Sequence, residues 1–361
     1  MTRRVAITGL AVSSAFGRGG EPLLAGALAG RPAFAPVRRF DVSGRRVGVA
    51  ATSDSDGSLL DELAWAVSAA AGEAGAAEGT PLLLAVHGDP GQPRVDPGER
   101  VAFSPAAFAR RLGDATGMRA ERVYTSACVA ASTALADAAA AIVRGAGRVI
   151  VAGGYLVEQD QFALFDAGRA LAVDGQVRPF STGRSGLLLG DGVAAVVLEP
   201  AGTARHVLGT LDGWGRSGDA HHVVQPHPDG EGLARAISAA LSRAGIGPAG
   251  VGYVNAHGSG TPYSDVAETA ALHRAGLGAT PISSTKSVHG QALEASGILE
   301  LAVTLLALRA GQLPPNAGYL GPDAGCDLNL VLEPQPVTSR YAVSLNAAFG
   351  GANTALVVGA P

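Results

Sequence analysis

Short β-branched runs alternate along this chain with longer Ala- and Leu-rich stretches, and that alternation sets the fold class. Brief runs dominated by Val, Ile and Leu read as buried strands: residues 4–9, 82–86, 149–152, 194–198, 251–255, 282–284, 342–345 and 355–358. Stretches of helical character are expected at 59–71, 130–144, 233–244, 265–274 and 293–309. Strands alternating with helices imply an α/β molecule, its sheets covered by helical layers. Residues 54–105 are the least regular, with turns expected at 88–91 and 96–98. No repeat is visible in the letters. Both halves nonetheless open on a strand and place a reactive residue just beyond one, which permits a duplicated architecture.

Composition narrows the picture. With 47% hydrophobic and 16% charged residues over 361 positions, the chain has enough apolar content for one large unit or two medium domains, and disorder is not expected. A net charge of −4 with no basic stripe, and only 5% aromatic residues, argues against a nucleic-acid partner. Two cysteines, Cys128 and Cys326, are too few for a disulfide framework, so reduced thiols in a cytoplasmic protein are expected. The longest apolar run, 298–308, is broken by Glu300, so no membrane span is expected. The N-terminal Arg3-Arg4 followed by apolar residues superficially resembles an export signal, but the stretch is short and Gly-broken; a first core strand is the reading.

Four stretches carry chemistry. In Tyr124-Thr125-Ser126-Ala127-Cys128-Val129-Ala130 an extended piece runs into an Ala-rich helix, which places Cys128 at or beside a helix N-terminus. Free N–H groups and the positive dipole end favour thiolate there and offer donors to an oxyanion. A buried structural cysteine is the competing reading. His257 follows the strand at 251–255 and is trailed by Gly258-Ser259-Gly260-Thr261-Pro262, backbone freedom that suits close approach of a ligand better than a plain core histidine. Lys286, His289 and Gln291 lie between a strand and a long amphipathic helix and are candidates for the same cavity. Phe349-Gly350-Gly351-Ala352-Asn353 is a glycine turn between the last two strands, either a source of oxyanion N–H groups or an ordinary hairpin turn. His221, His222 and His227 lack the companions of a known metal pattern, and the glycines of 183–192 lack nucleotide-loop spacing, so neither a metal nor a nucleotide is expected.

Taken together and in this order, the motifs resemble the β-ketoacyl synthase (ketosynthase) family, in its type II fatty-acid and polyketide branch of the thiolase-like superfamily. The resemblance runs nearly end to end. It is carried by Arg4-Val5-Ala6-Ile7-Thr8-Gly9-Leu10, Arg39-Phe40-Asp41, Ser126-Ala127-Cys128, Ala152-Gly153-Gly154 and Arg178-Pro179-Phe180. It continues in Pro226-His227-Pro228-Asp229-Gly230, Asn255-Ala256-His257-Gly258, Thr261-Pro262, Ser284-Thr285-Lys286-Ser287, Pro314-Pro315-Asn316 and Phe349-Gly350-Gly351. It implies a thiolase-like fold, two similar halves in a five-layer αβαβα arrangement. Residues 1–202 would carry the nucleophile Cys128, and residues 203–361 would carry His257, Lys286, Gln291 and the Phe349 turn.

The resemblance also implies chemistry. Cys128 would accept an acyl group from the phosphopantetheine of an acyl carrier protein or from coenzyme A, with no tightly bound cofactor. His257 would assist decarboxylation of a malonyl extender, and the N–H groups of Cys128 and Phe349 would form the oxyanion hole. Lys286 would pair with Glu268, and Thr261, Leu187, Gly350 and Gly351 would bind substrate. The expected partners are a carrier protein and a second ketosynthase-like subunit, identical or not. The family's second active-site histidine is here Gln291, an amide that donates a hydrogen bond but cannot become cationic. His289, two residues earlier, would substitute only if the loop turned differently. Leu187 stands for a gatekeeping aromatic, Ser181-Thr182-Gly183-Arg184 for an acidic stretch and Asp191 for a glutamate, and the chain is shorter between 54 and 105. A chain-length-factor subunit, or an acyltransferase that does not decarboxylate, is the alternative on the same fold.

Overall fold

A computed structural model describes residues 4–55, 57–88 and 104–361. The first half runs β1 (Val5–Ser14), α1 (Leu59–Ala74), β2 (Pro81–Ala85), α2 (Pro105–Thr116), β3 (Arg119–Tyr124), α3 (Ala130–Val143), β4 (Val149–Tyr155) and β5 (Gly192–Pro200). The second runs β6 (Gly209–Gly218), α4 (Glu231–Ala244), β7 (Val251–Asn255), α5 (Pro262–Arg274), β8 (Ile282–Ser283), α6 (Ser296–Ala310), β9 (Tyr341–Ala348) and β10 (Ala352–Gly359). All eight expected strands and all five expected helices are present. The turns expected at 88–91 and 96–98 lie, from residue 89 onward, outside the described residues.

Strand order repeats. The first half is ordered β1-β5-β4-β2-β3 and the second β6-β10-β9-β7-β8, with the same pattern of parallel and antiparallel neighbours. The two five-stranded sheets join where β1 pairs antiparallel with β6, from Val5 opposite Leu211 to Ile7 opposite Gly209.

Side-chain alternation along the strands sorts the layers. On β5, Val193, Ala195 and Val197 face α1 and α2, while Ala194, Val196 and Leu198 face the centre. On β10, Ala355 and Val357 face α4 and α5, while Leu356 and Val358 face the centre. The centre is filled by α3 and α6, so five layers stack as αβαβα. Both central helices are enclosed by sheets. Helix α6 is therefore buried almost all round, not amphipathic as its sequence suggested, and Glu300 within it is fully buried.

The strand at 209–218 escaped the sequence reading because four of its ten residues are glycine, a poor strand former. The structure shows why they are there. A Cβ on Gly215 would stand 1.8 Å from the Ala236 carbonyl oxygen of α4, and one on Gly9 of β1 would stand 2.2 Å from that of Ala70 in α1. Helices α1 and α4 thus each rest directly on the first strand of their own half. Gly215→Ala is expected to cost about 3 kcal/mol through overpacking, read as a lower denaturant midpoint at unchanged m-value.

Candidate active site

The chain leaves β3 through Thr125 and Ser126 and enters one 3₁₀ turn, Ala127–Val129, before α3 begins. Ala127 holds φ at +49°, a strained conformation for a residue with a Cβ. This sharp turn sets Cys128 at the N-terminal end of α3, where the sequence placed it. Its thiol, however, is not acidified. Burial pushes the pKa up to about 12, and the charge on Glu294 adds to that; the charge on Lys286 and a hydrogen bond from the Gln291 side chain oppose it. Loss of hydration outweighs the helix end, so the resting group is a neutral thiol.

His257 follows β7 across Ala256. Its backbone N–H and that of Gly258 donate to the two oxygens of Glu268, each at 2.7 Å. Glu268 stands on α5, which Pro262 starts after Thr261. Gly258 has φ of +32°, and a Cβ there would lie 2.4 Å from that of Ser284, whose hydroxyl donates to the Gly258 carbonyl at 2.8 Å. The loop is thus clamped from both sides and the imidazole is aimed by its backbone. The ring is buried, its Nδ1 has no partner among the described residues, and burial together with Lys286 holds its pKa well below the usual value. It is a neutral imidazole.

Lys286 is buried, as expected, but its partner is different. Its ammonium lies 2.7 Å from Oε1 of Glu300, not on Glu268, and the Asn346 amide donates to the other Glu300 oxygen. Glu268 is committed to the two backbone amides instead, and burial raises its pKa to about 7. The Lys286 charge acts on Cys128, His257, His289, Glu268 and Glu300 alike, which makes it the electrostatic centre joining residues of both halves.

His289 does not reach into the site as a substitute. Its Nδ1 lies 2.8 Å from the Gly290 carbonyl and its Nε2 lies 3.0 Å from the Thr285 hydroxyl. A carbonyl only accepts, so Nδ1 carries the proton and Nε2 accepts from Thr285. Burial, then Lys286, lowers its pKa to about 3. Gln291 is buried and fixed by its backbone, its N–H donating to Leu188 at 2.8 Å and its carbonyl accepting from Gly190 at 3.0 Å. Its side chain meets the Cys128 sulfur, and its Oε1 is unpartnered among the described residues.

Phe349 opens the turn between β9 and β10. Its half-exposed ring stacks on Phe165, centroids 5.9 Å apart. Gly350 and Gly351 follow at φ of +85° and +75°, their N–H groups donating to Val223 and Ala348. The Thr261 hydroxyl shares a 2.8 Å hydrogen bond with Ser259, and Leu187 is buried in the central core. Asp191 accepts a two-pronged contact from Arg39 and the N–H groups of Ser53 and Val157, while Arg184 bridges Asp323 and Asp265. His222 and His227 accept nearby backbone N–H groups through Nδ1. Sequence reasoning missed Glu300, Asn346, Glu294 and Phe165; only Glu300 left a mark, as a charge inside an apolar run.

The Beta-ketoacyl synthase N-terminal domain matches residues 60–204, and its C-terminal domain matches residues 208–320. A 3-oxoacyl-[acyl-carrier-protein] synthase 2 of Staphylococcus aureus is 34% identical over 246 residues, 64% of this chain and 61% of that protein, so the match spans about three fifths of that relative. The "Putative polyketide beta-ketoacyl synthase 1" of Streptomyces cyaneus is 31% identical across 100% of this chain and 99% of that one. Among solved structures, the ishigamide ketosynthase/chain length factor superposes with a TM-score of 0.89 at 26% identity, covering 100% of both chains. No helix among the described residues is long and apolar enough to cross a membrane. With its repeated five-layer architecture, its cysteine at the head of a central helix and a full-length match to a relative of that description, the chain belongs to the beta-ketoacyl synthase family.

Proposed function

We propose that this protein is a decarboxylative condensing enzyme of fatty-acid or polyketide type, acting through Cys128, His257 and Gln291. What supports this reading is that the charge of one buried cation, Lys286, is felt by both the Cys128 thiol and the neutral His257 imidazole, while the Gln291 side chain hydrogen-bonds the same thiol. In the first step Cys128 attacks a carrier-bound acyl thioester. The acyl group passes to its sulfur and the thiol proton leaves with the carrier sulfur. A malonyl-carrier thioester then enters, CO₂ departs, and the resulting enolate attacks the acyl carbonyl; the Cys128 sulfur leaves and regains a proton.

In this reading the N–H groups of Cys128 and Phe349 face the oxyanion of each tetrahedral intermediate. His257 and the Gln291 amide donate to the malonyl thioester oxygen as negative charge develops on it. His257 is aimed by Glu268, and the primary amide of Gln291, less acidic than the neutral imidazole N–H, is the weaker donor of the two positions. Thr261, Leu187, Gly350 and Gly351 line the route of the phosphopantetheine and the acyl chain. Residues 1–202 and 203–361 each contribute half of the constellation. The partners are an acyl carrier protein and a second ketosynthase-like subunit.

The test is acylation of Cys128 by an acyl carrier thioester, followed by CO₂ release from a malonyl carrier thioester. Gln291→Ala is expected to slow decarboxylation by about 100-fold, the effect of deleting one oxyanion donor. Gln291→His is expected to raise it by about tenfold, since an imidazole N–H, even held neutral as at His257 and His289, is a more acidic donor than a primary amide N–H. An unchanged or lower rate in Gln291→His removes Gln291 from the role of enolate donor. Likeness to the ishigamide ketosynthase/chain length factor favours a second reading, a tunnel-shaping partner subunit. Under it, no acylation occurs until an active ketosynthase is added.

A further inference from the structure

Two buried groups beside Cys128 have no role in that scheme. Glu294 stands in a 3₁₀ turn, Leu293–Ala295, packed against the turn that carries Cys128. Leu293 ahead of it holds φ at +41°, a conformation that persists only where the surroundings impose it. The Glu294 side chain is 4% exposed, and its Oε1 lies 3.5 Å from Nδ1 of His87. Its Oε2 has no partner among the described residues. The hydroxyl of Tyr155, at the end of β4, is likewise buried; the Glu158 backbone N–H approaches its oxygen, and its proton has no acceptor among the described residues. The Leu293–Ala295 turn packs both on the turn that carries Cys128 and on β4, which ends at Tyr155, so the three groups stand on adjoining elements.

An acyl group carried on Cys128 would lie against the elements that bear these groups. A hydrocarbon chain would seal an acceptor and a hydroxyl away from water with nothing to bond, which is costly for each. A chain bearing O–H or N–H would satisfy them. His87 engages one carboxyl oxygen and leaves the other without a partner among the described residues, free to take a donor from an acyl group. We propose that Glu294 and Tyr155 form a polar subsite that selects acyl groups carrying a hydrogen-bond donor, a hydroxyl or an ammonium, close to the thioester. The inference rests on the reading that Cys128 is acylated, and it adds the substrate class to that reading.

The test loads the full chain with N-acetylcysteamine thioesters of 3-hydroxybutyrate, 3-aminobutyrate and 3-methylbutyrate, acids of nearly equal size, and follows acylation of Cys128 by intact-protein mass spectrometry. The hydroxy or amino thioester is expected to load at least about tenfold faster than the methyl one, because a site built around polar groups rejects a chain that leaves them unpaired. Glu294→Leu is expected to erase or invert that ratio. Glu294→Gln keeps an acceptor but loses the charge; preference for the ammonium falls and preference for the hydroxyl survives, which separates the two donors. Tyr155→Phe, a change of one atom, is expected to lower the preference several-fold and serves if Glu294 variants fold poorly. Ratios within one variant are compared, because removing the Glu294 charge also makes the thiol more acidic. Equal loading of all three by the native chain overturns the inference alone. Failure of every thioester to acylate Cys128 overturns the acyl-transfer reading and the inference with it.

Discussion

Lys286→Met is expected to lower the free energy of unfolding by about 3–5 kcal/mol, the cost of leaving one partner of a buried ion pair alone. Glu300 is fully buried in α6 between the two sheets, and the 2.7 Å contact with Lys286 is its only ionic partner among the described residues. Remove the ammonium and the carboxylate keeps only the Asn346 amide. Burial already raises the Glu300 pKa, with Lys286 as the strongest force opposing it, so the single variant is driven further towards a protonated Glu300. The companion variant Lys286→Met with Glu300→Gln removes both charges and keeps an acceptor for Asn346. It is expected to recover most of the loss, giving an interaction energy of about 2–3 kcal/mol in the double-mutant cycle. Chemical denaturation at pH 7 reads all four corners. Equal losses in the single and double variants would mean that Lys286 stabilises by packing its stem, not by its charge. The single variant has a second signature: without the neighbouring cation, the His257 pKa rises from its depressed value.

The position of Lys286 also shows where sequence reading reaches its limit. The strands were legible because strands covered on both faces read as short, mostly apolar runs, whether their neighbours are parallel, as for β2, or antiparallel, as for β5 and β10; the polar edge strand β3 was not legible. Helices α1 and α4 were legible by their period, whereas α2, directly after the least regular stretch, was missed despite its polar face. Strand β6 was hidden by glycines whose purpose, contact with the backbone of α4, appears only when the helix is in place. Helix α6 was placed correctly and given the wrong character, since enclosure by two sheets and α3 has no counterpart in the letters 293–309. Order along the chain brought Cys128, His257, Lys286 and Gln291 to attention, yet pairing was not deducible. Glu268 was offered as the partner of Lys286 on motif position alone, whereas the nearest carboxylate is supplied by a helix thirty-odd positions farther on. His289 and Gln291 lie two residues apart and differ in fate for a backbone reason: Gly290 between them sits at φ of +76°, turning one ring back onto Thr285 and the other side chain towards the sulfur.

Electrostatics at Cys128 is the other feature that local sequence misjudged, and it sets the second large effect. Alkylation of Cys128 by iodoacetamide at pH 8 is expected to be about a thousandfold slower than that of an ordinary thiol, because its pKa stands at about 12 against 9.0 and the thiolate is the reacting form. The rate is expected to rise about tenfold per pH unit through pH 10 without levelling. Peptide mapping separates it from Cys326, whose thiol burial pushes up to about 11. The same shift has a stability consequence whose sign is fixed. A folded thiol that holds its proton more tightly than the unfolded one contributes stability fully below pH 9, and this is lost as pH rises towards 12. A rate that levels near pH 7–8 would show that the end of α3 stabilises the thiolate more than burial and Glu294 oppose it. Slow alkylation does not conflict with fast acyl transfer. Iodoacetamide offers no acceptor for the thiol proton, whereas a carrier thioester brings its own departing sulfur, so attack and proton loss proceed together without a free thiolate. Acylation by carrier thioesters should accordingly depend on pH far less steeply than alkylation, and two parallel slopes would sink the coupling of proton loss to attack.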